Sequence, residues 1–294
     1  MKYFPLLCAI LLIVGGALCV MPFLCLSDRF AAAAQKRSVF EKSASQLAVP
    51  AGIALMLLAA ALAADIYAVG SISRICALSQ QTPVLLGCGT ACAAAAGLLL
   101  TAGGRLKKTA PYALAAIAGG AALLSSVFLS GVVTRGRVPA SWADFAAEPS
   151  FMGLWAGFCV FSAFFFAENM AVLWYGLRRG KDDFGRDYYT AMPKRRSWRG
   201  VFFGISTLIF GMALLFTAQP SVPRGAVFPW TSFALESADA VRTWLLSGSL
   251  GMPLAVFLQY LTARSSSPMR FRFLSWLSGV LWCASVFCLI AVLF

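Results

Sequence analysis

Eight separate stretches of this chain are apolar over the roughly 20 residues that an α-helix needs to cross a bilayer. They fall near residues 4–26, 47–70, 83–103, 111–133, 151–175, 200–218, 241–262 and 272–294. In hydrocarbon a backbone must satisfy its own hydrogen bonds, and apolar runs of this length do so as helices. The expected fold is therefore all-α: a polytopic membrane bundle of eight transmembrane helices, forming a single integral membrane domain over 1–294. The connections are short and leave no room for an inserted soluble domain. Composition agrees. The chain is 60% hydrophobic and only 12% charged, where soluble chains are roughly 25% charged, and its mean hydropathy is +0.81.

The formal charge is +13. The basic residues sit in short loops between apolar runs, so they read as topology signals and headgroup contacts, not as a nucleic-acid surface. Counted loop by loop, 18 of the 24 Lys and Arg fall in the loops after odd-numbered spans, and eight of those lie between Arg178 and Arg199. The positive-inside rule puts those loops in the cytoplasm and both termini outside. The expected location is the inner (cytoplasmic) membrane of a bacterium. The first span is too long for a signal peptide, whose apolar core runs about 7–15 residues. Cleaving it would also turn the eight-charge loop outward.

The chain has no histidine. That excludes bis-histidine haem, histidine-ligated zinc and a histidine general base within it. The nine cysteines form no C-x-x-C pair, so iron–sulfur and zinc-ribbon spacings are missing too. Cys88 and Cys92 share a helix face, and as a class the cysteines read as small apolar packing residues. Span three carries Ala93–Gly97 and span four Ala115–Gly120. Small residues let helix backbones approach closely in lipid, so these two spans are expected to pair as a tight hairpin. The outer loop Gln219–Trp230 holds Pro220, Pro223 and Pro229. It is stiff and apolar, suited to docking another protein or lying at the interface, and Trp142 and Trp230 read as aromatic-belt residues.

Acids inside a membrane are expensive, so each is a candidate functional residue. Two stand out. Asp65 lies late in span two, followed by Tyr67 and then by Arg74 about two and a half turns on. Glu168 lies in span five, beside Asn169, in the inner half of the membrane. Asp65 is read either as a functional acid or as one pairing with Arg74. Glu168 and Asn169 are read either as functional or as a polar contact between helices. The inner loop Gly180–Tyr189 is dense in charge but lacks the calcium-loop and phosphate-loop patterns.

An eight-span chain of this length with both ends outside resembles the membrane anchor subunits of the dimethyl sulfoxide reductase family, within the wider NrfD-like quinone-linked anchors. In residues the resemblance rests on Asp65 through Gly87, with Arg74-Ile75-Cys76-Ala77-Leu78 and Thr82-Pro83, and on Phe184-Gly185-Arg186-Asp187-Tyr188-Tyr189. Family anchors carry a histidine near the end of span two, where this chain has Asp65, and an acid early in span three, where it has Leu86 and Gly87. The resemblance implies a subunit that binds menaquinol near the outer face without a haem or iron–sulfur cluster of its own. Electrons would pass to an iron–sulfur subunit docked on the outer loops and then to a molybdopterin catalytic subunit. In that scheme Asp65 takes the quinol proton, Arg74 tunes it by opposite charge, and Tyr67 hydrogen-bonds a quinone oxygen.

Two other readings stand beside it. A small-solute transporter would need a polar pathway through the bilayer centre, for which Glu168-Asn169 is the best candidate. A structural or assembly protein would tolerate neutral substitution of both acids. Nothing in the chain favours a soluble-type hydrolase, for it offers no histidine base and no Ser or Cys with a recognisable activating partner.

Overall fold

The computed structural model describes residues 11–64, 66, 81–106, 108–134, 149–178, 185, 188–217, 238–265 and 267–293. Almost all of them are helical, with no strand among them. Eight helices are long and apolar enough to span a membrane: α1 Gly16–Gln35, α2 Ser38–Ala64, α3 Gln81–Leu106, α4 Thr109–Thr134, α5 Pro149–Arg178, α6 Tyr188–Thr217, α7 Ala238–Arg264 and α8 Pro268–Leu293. A short π-helical turn, Leu11–Gly15, leads into α1.

The helices outrun the apolar stretches that announce them. α1 continues to Gln35 and α2 begins at Ser38, so the charged segment between the first two spans is mostly helix. Only a tight turn separates them, with Lys36 in the left-handed conformation at φ 50°, the usual way to end a helix. α6 likewise starts at Tyr188 and carries Lys194, Arg195, Arg196 and Arg199 inside its first half. Hydropathy marks only the part of a helix that lies in hydrocarbon, whereas backbone hydrogen bonding continues into the headgroup zone. Hydroxyls within the spans are satisfied locally: Thr90, Thr101, Ser125, Thr207, Thr262 and Ser285 each donate to the carbonyl four residues back, a common arrangement in apolar helices.

The helices cluster into two compact units. One, Gly15–Val133, carries α1–α4. The other, Gly153–Phe294, carries most of α5 and all of α6–α8. In the first unit, α2 and α3 touch backbone to backbone. A Cβ at Gly52 would lie 2.7 Å from the Gly97 carbonyl, and one at Gly97 equally 2.7 Å from the Gly52 carbonyl. Gly119 of α4 lies directly against the Cys19 carbonyl of α1. The small-residue stripes of α3 and α4 therefore serve α2 and α1 at these points. α3 and α4 do meet, but at Gly89 against Ser125 and at Gly103 against Tyr112.

In the second unit aromatic rings fill the space. Phe161 and Phe164 of α5 pack on Phe203 of α6, and Phe161 also reaches Phe210. Phe165 lies against Trp282 of α8, with centroids 4.0 Å apart. Gly248 and Gly251 of α7 sit against Ser285 of α8, and Gly248 also meets Leu289. The outward residues are large and apolar, among them Phe202, Ile209, Leu250 and Phe273, as a lipid-facing surface requires.

Candidate functional site

Two polar clusters of the second unit are built on α5. Glu168 follows Phe164-Phe165-Phe166-Ala167 in mid-helix and is fully buried. Its carboxylate lies 3.0 Å from Nη1 of Arg196 and 2.9 Å from Nε of Arg199, both on α6. Those two arginines are three residues apart and so share a helix face. Arg196 is completely enclosed, while a quarter of the Arg199 side chain is exposed. The acid is thus held by two guanidiniums of the adjacent helix, one in the interior and one near its edge.

Asn169, one residue on, is turned about 100° around α5 and serves a different neighbour. Ser275 of α8 donates to its side-chain oxygen at 2.9 Å, and its amide donates to Ser278 at 3.4 Å. Ser278 in turn donates to the Ala255 carbonyl of α7 at 2.9 Å. Two turns away, the Trp282 indole donates to Ser162 of α5 at 2.9 Å. Ser162, Asn169, Ser275, Ser278 and Trp282 are all buried. They form a polar seam along the α5–α8 contact that reaches α7 through Ser278. Adjacent Glu168 and Asn169 therefore join α5 to α6 and to α8 respectively.

The sequence reading singled out Glu168 and Asn169 but not their partners. Arg196 and Arg199 were counted as loop charge. Their spacing of three, inside what proves to be helix, was the available signal. Gln259 of α7 and Ser197 of α6, both fully buried, were also missed, since a lone polar residue in an apolar run carries no pattern.

The first unit holds its own polar cluster near the α1–α2 turn. Buried Asp28 accepts a hydrogen bond from Ser43 at 2.5 Å. Arg29 pairs with Glu41 at 2.8 Å and stands over the ring of Tyr112. These contacts tie α1 to α2 and α4.

Asp65, Tyr67 and Arg74 lie outside the described residues, as do the proline-rich loop 219–230 and Trp142. Among the described residues no three His, Cys, Asp or Glu gather to hold a metal ion.

These features define a multi-pass α-helical membrane protein whose buried charges and amides join one helix to the next. Compared with known proteins, the chain matches no family model, no curated protein and no solved structure.

Proposed function

We propose that the chain is the membrane anchor subunit of a molybdopterin oxidoreductase complex in a bacterial inner membrane. It binds menaquinol near the outer face and passes its electrons to an iron–sulfur subunit, which hands them to the molybdopterin catalytic subunit. One observation carries the choice among the readings. Of the two acids within the apolar spans, Glu168 is enclosed between Arg196 and Arg199, and its neighbour Asn169 is bonded to Ser275 and Ser278. Both residues that would line a transport pathway are taken up in helix contacts. That weighs against the transporter and leaves Asp65 as the acid for chemistry on a bound substrate.

Quinol oxidation releases two electrons and two protons. Asp65, as carboxylate, accepts one proton from a quinol hydroxyl as the electrons leave, and the other quinol proton passes to water at the outer face. Arg74 pairs with Asp65 by opposite charge, and Tyr67 hydrogen-bonds the quinone oxygen. The iron–sulfur partner docks on the outer loops, Gln219–Trp230 among them.

Two experiments test this. The tagged chain, purified in mild detergent from cells expressing its native neighbours, should bring down iron- and molybdenum-containing subunits. Asp65→Asn should abolish quinol oxidation while leaving that assembly intact. A lone, metal-free chain, or normal turnover by the variant, would refute the proposal.

A further inference from the structure

Three helices of the second unit run in step around one polar layer. Gly204 of α6 is wedged between Phe165 of α5 and Val256 of α7, whose side chains would stand 2.9 and 2.6 Å from a Cβ there. One turn along each helix lie Glu168, Gly200 and Gln259. A Cβ at Gly200 would sit 2.9 Å from Nε2 of Gln259, so that amide rests on α6. One turn further on the same face come Arg196, which holds Glu168, and Ser197.

Gln259 and Ser197 are both 0% exposed. Neither Nε2 nor Oε1 of Gln259, nor Oγ of Ser197, has a hydrogen-bond partner among the described residues. Buried polar groups are almost always satisfied, and in a membrane bundle no bulk water reaches them. A single partner serving all three atoms must both donate and accept. The glutamine nitrogen only donates, its oxygen only accepts, and the hydroxyl does either. An anion would leave the glutamine oxygen unpaired. A cation would leave the amide nitrogen unpaired and would stand beside Arg196. Water satisfies all three, and a buried water typically makes about three hydrogen bonds.

We infer that the α6–α7 contact encloses an internal water site, in which ordered water bridges the Gln259 amide and the Ser197 hydroxyl in the layer of the Glu168–Arg196 pair. The three-helix junction is then hydrated at its centre.

The sign of a stability change tests this. Gln259→Met keeps the size of the side chain and removes its polar atoms. Around a bridging water, this variant and Ser197→Ala each strand a partner, so each should lower the thermal midpoint of the purified chain by a few degrees. The double variant should lose less than the sum, because the shared water is lost once. In a dry contact the same substitutions remove unsatisfied groups, and the midpoint should hold or rise. An unchanged or raised midpoint, or losses that simply add, would overturn the inference. Should the variants fail to fold, the wild-type chain decides in a density map that resolves ordered water. A peak within about 3.2 Å of both side chains supports the site, and direct packing without one overturns it.

Discussion

Replacing Glu168 by leucine removes the carboxylate that pairs with both Arg196 and Arg199. The Arg196 contact is 3.0 Å with both partners fully buried. Coulomb attraction at that distance is about 5 kcal/mol at an effective dielectric constant of about 20. The net loss is set by the guanidinium left behind. Arg196 is fully buried, so removing its carboxylate brings the cost of a broken buried pair, about 3–5 kcal/mol. Arg199 is a quarter exposed, can turn outward, and adds little. Three variants separate these contributions in a denaturant titration of the purified chain. Glu168→Leu should lose about 3–5 kcal/mol, towards the lower end if the layer is hydrated as inferred above. Arg199→Gln should lose less than this, because the glutamine amide can still donate to the carboxylate. The double variant Glu168→Leu with Arg196→Met should recover at least half of the Glu168→Leu loss, because neither charge is then stranded. A Glu168→Leu protein as stable as wild type would refute this reasoning. So would a double variant as unstable as the sum of its singles.

Gly52→Ala should destabilise by about 1–3 kcal/mol through overpacking, because its Cβ would meet the Gly97 carbonyl. Gly87→Ala, with nothing within 4 Å, should be neutral or slightly stabilising; equal thermal melts for the two would refute the close α2–α3 approach. Trp282→Phe should leave the Ser162 hydroxyl without its donor at about 1 kcal/mol, measurable as a lower midpoint that Ser162→Ala does not deepen. Ser43→Ala removes the donor to buried Asp28 and should cost about 1–3 kcal/mol. Ser45→Ala, whose exposed hydroxyl bonds only the Lys42 carbonyl, is the control and should change little.

The reading of hydropathy alone recovers all eight helices, since in lipid a run of apolar residues has one way to satisfy its backbone. It misplaces their ends where the helix leaves hydrocarbon, as at Ser38 of α2 and Tyr188 of α6. For the candidate residues, Glu168 was legible because an acid in an apolar run is costly wherever it lies. Its partners were not. Arg196 and Arg199 resemble the topology charges beside them, and only the turn of α6 brings those two to the acid. Gly97 was legible as a packing residue, but its partner, Gly52, depends on which helix crosses at that height.

What the sequence determined by itself is the class of molecule. An apolar, weakly charged chain broken into eight membrane-length runs must cross a bilayer repeatedly as helices, because burial and backbone hydrogen bonding allow nothing else. Neighbour choice was left to the tertiary structure. Lipid is as apolar as the helix surfaces, so hydrophobicity does not select which helices touch. That selection falls to shape at Gly52, Gly97 and Gly119 and to the polar contacts of Glu168, Asn169 and Ser278. Such contacts join residues up to about a hundred positions apart, where no local pattern in the sequence links them.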